Sequence, residues 1–365
     1  MARISILTPT LATSDAVSND VLGMHRVLKQ RGHDVHLFAE DWNVPGVQVR
    51  YAAAARPFAE TSSDILIYHH SIGWELGAEI LESCACKTII KYHNITPPQF
   101  FEGVNPHLQQ LCESGKSQLA SIGGAYHTLY LAASAYNMQD LLAAGADPAR
   151  TFVVPPFNQA QNLGDVAPDF QVLDEYQDGK VNLLMVGSVR PNKGHAFLIE
   201  AFAHYYYDFT CHARLLIVGA QDEKLEGYAK TLRDLVELLH LEDAVSFTGE
   251  VSIGALKAYY LTSDAFVIAS EHEGFCVPLV EAMSLKVPVV GYASGAITET
   301  IGDCGIIWDR VDPGLVAESI DALMKDEPLA AALTHQARRR YQQMFSNAVI
   351  ESDFLRATKA AGFQL

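Results

Sequence analysis

The sequence predicts an α/β protein of two lobes, each a Rossmann-like unit with a parallel sheet, facing one another across a cleft. Three observations predict it. Short β-branched or Leu-rich runs alternate with helical patterns along the whole chain of 365 residues, as βαβ units do. Several of these runs are almost continuously apolar, the mark of strands buried on both faces of a parallel sheet. A single polar stretch, residues 159–179, interrupts the alternation, which then restarts.

Strands are expected in the first half at residues 4–9, 35–39, 64–69, 88–93, 131–134 and 152–154. Between the first two, residues 21–32 carry apolar side chains at helical spacing, and Gly32 stands where a helix C-cap glycine belongs. The stretch 159–179 is rich in Asn, Asp, Gln and Pro, shows no sustained periodicity and reads as a linker. Beyond it strands are expected at 181–187, 214–219, 244–248, 265–269, 287–292 and 305–308, with helices over 193–207, 224–240, 253–261 and 278–285. Residues 329–365 read as helical without further strands. The expected division is a first lobe with its linker at 1–178, a second at 179–345, and a terminal helix at 346–365 packing back on the first.

Hydrophobic residues make up 49% and charged residues 19%, material for two buried cores. No run approaches the roughly 20 consecutive apolar residues of a membrane-spanning helix. The N-terminus leads straight into an apparent core strand without the features of a signal peptide. A cytoplasmic location is therefore expected, with at most weak or peripheral membrane contact. The net charge of −17 argues against a nucleic-acid partner and against tight docking on anionic lipid. Cys84 and Cys86, one residue apart, fit neither a zinc knuckle nor a redox Cys-x-x-Cys, and Cys112, Cys211, Cys276 and Cys304 are scattered. Six reduced thiols without metal are expected.

Two segments carry chemistry. The first, Ser270-Glu271-His272-Glu273-Gly274-Phe275-Cys276-Val277-Pro278-Leu279-Val280-Glu281, runs from a strand through a small-residue loop into a helix, with Pro278 in the first turn. A helix start of this kind is an anion site. Glu273 in the loop and Glu281 about one turn into the helix could hold two parts of one elongated polar ligand. A first-turn Glu is also simply favourable with the helix dipole. The second, Gly187-Ser188-Val189-Arg190-Pro191-Asn192-Lys193-Gly194, again joins a strand to a helix. Arg190 as a fork and Lys193 as a point charge suit a diphosphate, although two solvated surface cations would look the same.

Taken together and in order, Gly-Ser-x-Arg-x-x-Lys-Gly and, about eighty residues on, Glu-Gly-Phe-x-x-Pro-x-x-Glu-Ala-Met resemble the retaining glycosyltransferases of family 4, the glycosyl transferase group 1 domain. The family's two glutamates with seven residues between them are matched by Glu273 and Glu281. The resemblance covers the second lobe and implies the two-lobed GT-B fold. It further implies that Arg190 and Lys193 bind the donor diphosphate and stabilise the leaving group. Glu281 would take the ribose hydroxyls and Glu273 hydroxyls of the donor sugar, helped by backbone at Gly274, Phe275 and Cys276. Gly249 and Val251 would lie against the base. Cys276 stands where many members have Gly. In the first lobe, His93 falls where the family has a cleft histidine near the transferring sugar, and Ser134 holds a comparable position. The block from His93 to Phe101 is similar to a subgroup that includes mannosyltransferases of surface polysaccharide assembly. One departure stands out: residues 10–19 contain none of the glycines that many members carry after the first strand. Ser14, Ser18 and Asn19 are expected to replace those backbone donors with side-chain donors.

The implied reaction is retaining hexosyl transfer from a nucleotide-sugar, GDP-mannose ahead of a UDP-hexose, to a glycan, glycolipid or glycoside. Preorganised cations would meet the charge that builds on the departing diphosphate. The chain has no Asp-x-Asp, so neither a metal nor another cofactor is expected. Glu273 and Glu281 are not read as the close carboxylate pair, about 5 Å apart, of a retaining glycosidase. Front-face substitution without a covalent intermediate is expected instead. Rival readings are an epimerase or phosphorylase of the same architecture, a non-catalytic nucleotide-sugar-binding protein, and a nicotinamide dehydrogenase. The last is disfavoured because neither lobe opens with Gly-x-Gly-x-x-Gly.

Overall fold

The structure, a computed structural model, describes residues 2–13, 15–124 and 128–365. The described chain forms two compact units. The first takes the chain to Pro98, then His107–Asn158 and Ser346–Leu365; the second takes Gln99–Pro106 and Gln159–Phe345.

The first unit is built on seven strands: β1 (Arg3–Leu7), β2 (Asp34–Ala39), β3 (Val49–Tyr51), β4 (Ile65–His70), β5 (Lys87–Tyr92), β6 (Leu129–Ala132) and β7 (Thr151–Val153). All pair in parallel, in the lateral order β3-β2-β1-β4-β5-β6-β7. The order reverses between β1 and β4, and ligands of such sheets bind beyond the carboxyl ends of the strands at this switch. Every residue of β4, Ile-Leu-Ile-Tyr-His-His, is buried, including its two terminal histidines. Helix α1 (Ala16–Gln30) follows β1, and α2 (Glu75–Ser83), α3 (Pro106–Gly123) and α4 (Ala135–Ala143) follow later strands. Edge strand β3 was not expected, because half-exposed Val-Arg-Tyr offers no apolar run to read.

The second unit repeats the plan. Strands β8 (Val181–Val186), β9 (Ala213–Val218), β10 (Val245–Gly249), β11 (Ala265–Ile268), β12 (Val289–Tyr292) and β13 (Ile306–Trp308) lie in the order β10-β9-β8-β11-β12-β13, all parallel. The switch here lies between β8 and β11, so the loops after those two strands meet at it.

The polar stretch expected to be a linker is not one. It folds as α5 (Ala160–Asp165) and α6 (Phe170–Tyr176) and belongs to the second unit, so the division at 178/179 is corrected to the passage between Asn158 and Gln159. Leu163 is buried in the second core, Asp169 caps α6 by accepting from the N–H groups of Gln171 and Val172, and Lys257 donates to the carbonyls of Gly164 and Val166. Helices this short contribute fewer than two turns each, too few for a 3.6-residue period to show. The remaining helices of the unit are α7 (His195–His204), α8 (Glu226–Leu238), α9 (Ile253–Thr262), α10 (Val277–Leu285), α11 (Ile297–Ile301), α12 (Pro313–Lys325) and α13 (Glu327–Arg340). The chain then enters α14 (Asn347–Ala360), whose Ile350, Phe354 and Ala357 are buried in the core of the first unit.

Candidate functional site

In the second unit the loops at the sheet switch are locked together by backbone fit. After β8, Pro191–Lys193 makes one 3-10 turn, and Gly194 follows at φ +67° before α7 begins. A Cβ at Gly194 would stand 2.0 Å from the carbonyl oxygen of Ala269, so only glycine lets this turn press on the end of β11. Asn192 closes the contact: its side-chain amide donates to the His272 carbonyl at 3.2 Å, and its backbone carbonyl accepts from the N–H of Glu271 at 2.9 Å. From the other side, Gly295 sits at φ +50° against the backbone of Glu273, where a Cβ would come within 2.4 Å of the Glu273 carbonyl oxygen. The N–H of Ala296 donates to that same oxygen at 2.9 Å.

Clamped in this way, the Glu273 side chain meets Lys193. Lys193 Nζ lies 2.6 Å from Glu273 Oε1, and Ser270 Oγ donates to the same oxygen at 2.8 Å. Both side chains are mostly buried, at 19% and 9% exposure. Burial alone would lower the Lys193 pKa, but the neighbouring Glu273 carboxylate more than reverses this and holds it raised. Lys193 is a committed cation. Arg190, half-buried at the start of the same turn, adds its charge against Lys193, and no hydrogen bond or ion pair occupies its guanidinium among the described residues.

Helix α10 starts at the far end of the 270–276 loop. Cys276 caps it in the left-handed region, φ +72° and ψ +78°, and no side chain caps its N–H groups. Burial, then the charge of Glu273, raises the Cys276 thiol, while Lys193 opposes them and Glu281 adds to the rise. One thiol thus lies within the electrostatic reach of three of the four charged candidates, Lys193, Glu273 and Glu281. Glu281 is 8% exposed, and Tyr260 Oη donates to its Oε2 at 2.9 Å. Burial pushes the Glu281 carboxyl up to about 7, against the lowering effect of that hydrogen bond. Phe275 is buried edge-to-face on Phe345, and its carbonyl accepts from Thr300 Oγ at 2.8 Å. Gly274 is half-buried in the loop between them. Gly249 ends β10 at φ +70° with its carbonyl accepting from the Gly219 N–H, and Val251 packs half-buried on the second core.

In the first unit, His93 is the outermost member of a buried charged cluster. His93 Nε2 lies 2.9 Å from His69 Nδ1. Asp20 Oδ2, on α1, is 3.6 Å from His93 Nε2, 4.0 Å from His69 Nδ1 and 3.7 Å from Lys91 Nζ. Asp20 Oδ1 accepts from the Phe157 N–H at 2.8 Å, and Lys91 Nζ donates to the Val154 carbonyl. Asp20, His69 and Lys91 are fully buried, whereas the His93 side chain keeps 7% exposure. Burial raises Asp20 and lowers Lys91, each partly held back by the other's charge. Burial, then the charge of Lys91, lowers His69 to about 3; burial, then His69 and Lys91, takes His93 well below its ordinary value.

Asp20, His69 and Lys91 were not anticipated from sequence. The signals were present: an aspartate on the apolar face of α1, beside Val21 and Met24, and polar residues at the ends of two adjacent core strands. Asp20, His69 and His93 offer three ligand atoms within 4.8 Å of one another, a set that could hold a metal ion. The Lys91 ammonium beside the shared Asp20 oxygen already supplies positive charge there, which counts against a resident cation.

Ser134, buried, N-caps α4, its Oγ accepting from the Asn137 N–H at 3.1 Å. One further expectation, that side chains of the 10–19 loop replace the missing backbone donors, is corrected. Ser18 is buried, donates its hydroxyl proton to Asp15 at 2.7 Å and accepts from the Ala12 N–H at 2.9 Å. It ties the 10–19 loop to the start of α1 instead of offering a donor outward. Asn19 is also engaged within the protein, and Ser14 lies outside the described residues.

Residues 169–340 match the family model described as "Glycosyl transferases group 1". Among curated relatives, a D-inositol 3-phosphate glycosyltransferase of Geodermatophilus obscurus is 30% identical over 55% of this chain and 45% of its own length. An N-acetyl-alpha-D-glucosaminyl L-malate synthase of Bacillus anthracis is 33% identical over 47% of this chain and 43% of its own length. The matched part spans somewhat under half the length of these relatives. Among solved structures, Anabaena HepE in complex with UDP and glucose superposes with a TM-score of 0.77 at 16% identity, covering 99% of this chain and 100% of that one. The chain has the GT-B fold.

Proposed function

From the match of residues 169–340 to the glycosyl transferases group 1 family model, we propose that the protein is a retaining, metal-independent hexosyltransferase. It takes a nucleotide-sugar donor in the second unit and acts on a glycan, glycolipid or glycoside acceptor. The observation that carries the reading is the locked Lys193–Glu273 pair, with Arg190 uncommitted at the start of the same turn and Glu281 buried about one turn into α10. In this reading Arg190 and Lys193 receive the diphosphate, and the uncapped start of α10 adds its dipole. Glu273 grips sugar hydroxyls and Glu281 the ribose, with Gly274, Phe275 and Cys276 lining the phosphates and Gly249 and Val251 the base.

Glu273 is a poor nucleophile where it stands, since one oxygen already accepts from Lys193 and Ser270. This supports substitution on the face from which the diphosphate leaves, with the departing phosphate taking the acceptor's proton. No metal or other cofactor has a part in the reading. GDP-mannose stands ahead of a UDP-hexose through the resemblance of the block from His93 to Phe101; HepE, whose fold this chain shares, was solved with UDP and glucose. No described helix is long and apolar enough to cross a membrane. A cytoplasmic site, with contact to a membrane surface only where the acceptor is a lipid, fits that observation.

The test is proton NMR of UDP-glucose and GDP-mannose turnover, with and without EDTA. The reading expects the α-anomer to form first from one donor, at a rate EDTA leaves unchanged. A β-anomer formed first, or loss of turnover on chelation, would contradict the retaining, metal-independent mechanism.

A further inference from the structure

The buried cluster behind His93 does more than fill the switch point of the first sheet. Resting on the reading of His93 as a residue that meets the sugar, we propose that His69 is a positioning residue which fixes the His93 proton. His69 donates from Nδ1 to Nε2 of His93, so His93 carries its hydrogen on Nδ1. The one exposed ring of the cluster then offers a neutral hydrogen-bond donor to a hydroxyl or ring oxygen of a sugar.

The two rings, 2.9 Å apart at His69 Nδ1 and His93 Nε2, share one proton between them. Burial keeps both rings neutral. If the shared proton sat on His93, His69 would carry its own on Nε2, a buried atom with no hydrogen-bond partner among the described residues. An orphaned buried N–H is the rarer and costlier outcome. With the proton on His69 Nδ1, that buried atom is a bare lone pair. Lys91, level with His69 on the adjacent strand, helps keep both rings neutral, because its charge disfavours an added proton on either. Asp20 Oδ2, at 3.6 Å from one nitrogen and 4.0 Å from the other, hardly discriminates. Its part is to offset Lys91 and to tie α1 to the Phe157 N–H. Asp20, His69 and Lys91 have no exposure, so the network meets the surface only through His93.

The test is long-range proton–nitrogen NMR of the histidine rings in the full-length ¹⁵N-labelled protein, with His93 assigned by its loss in His93→Gln. The expected spectrum shows His93 protonated on Nδ1 and bare on Nε2, unchanged from about pH 6 to about pH 9, above the range where a buried neutral imidazole titrates. In His69→Phe both His93 tautomers should appear. His69→Asn, whose amide reaches the place of Nδ1, should restore the single form and also guards against a folding defect in the Phe variant. A proton on Nε2 in the wild type, or an unaltered His93 in His69→Phe, overturns the proposal. Cleavage of UDP-glucose or GDP-mannose supplies the functional half. The maximal rate should fall about tenfold in His69→Phe, with KM within about twofold, and recover in His69→Asn. An unchanged rate in His69→Phe overturns the functional half. No cleavage of either donor by the wild type would count against the transferase reading itself, and the proton position would still be decided by the spectrum.

Discussion

Glu281 is a carboxyl whose burial disfavours its charge: although Tyr260 donates a hydrogen bond that favours the carboxylate, its pKa rises to about 7. A folded-state value above the unfolded one stabilises the protein fully below the unfolded pKa, and that contribution is lost as pH rises through the folded pKa. The window runs from the ordinary value of 4.5 to about 7, and the loss amounts to about 3 kcal/mol. Glu281→Gln keeps an acceptor for Tyr260 and removes the ionisation. Ligand-free melts should find the variant close to wild type near pH 4.5 and clearly more stable at pH 8, while its nucleotide affinity falls. An equal shift at both pH values would contradict the burial argument. Cys276 offers a second check, at φ +72° with a buried side chain. Cys276→Gly relieves left-handed strain and loses a small buried group, so urea unfolding should move by no more than about 1 kcal/mol. Cys276→Val forces a β-branched residue into that region and should cost about 2 kcal/mol or more. Glu273, Glu281, Arg190 and Lys193 were legible in the sequence because each stands near a strand-to-helix turn with a readable pattern. Asp20 was not, because one charge in the apolar stripe of α1 gains meaning only from His69, Lys91 and His93 on other strands.

The elements around the second-unit site act through backbone fit. Gly194 and Gly295 permit the close approaches that set Lys193 against Glu273. Gly194→Ala places a Cβ against the Ala269 carbonyl at an unfavourable φ, and should destabilise the protein by about 2 kcal/mol or more in denaturant titrations. It should also weaken nucleotide binding although the side chain touches no ligand. A variant as stable as wild type with full binding would show that the turn is not held as described. At this scale strong apolar runs located most core strands, while α5, α6 and β3 escaped. Their stability comes from contacts distant in sequence, such as Lys257 on the carbonyls at the end of α5 and the pairing of β3 with β2. A local window cannot contain these.

Across the whole molecule the chain passes between its two units more than once and ends in the first, where α14 buries Ile350, Phe354 and Ala357. Phe354→Ala should cost about 3–5 kcal/mol. Hydrogen exchange should register the loss in β1, β2 and α1, and leave β8 and β11 protected as before. An effect spread evenly over both sheets would contradict the assignment of α14 to the first core. The repeat of one α/β plan in both units was visible as two series of alternating runs, while the shared strand order was not. The handover at Asn158 was hidden by the polar composition of α5 and α6. The central claim, a nucleotide-sugar site built on Arg190, Lys193, Glu273 and Glu281, is tested most directly by a thermal-shift panel of wild type, Arg190→Ala and Glu281→Ala with GDP, UDP, ADP and their sugar conjugates. At about a hundred times its dissociation constant a ligand adds about 2.7 kcal/mol of stability. One nucleotide family should therefore raise the wild-type melting temperature clearly and leave both variants unmoved. No shift with any nucleotide, or equal shifts in wild type and variants, would contradict the site.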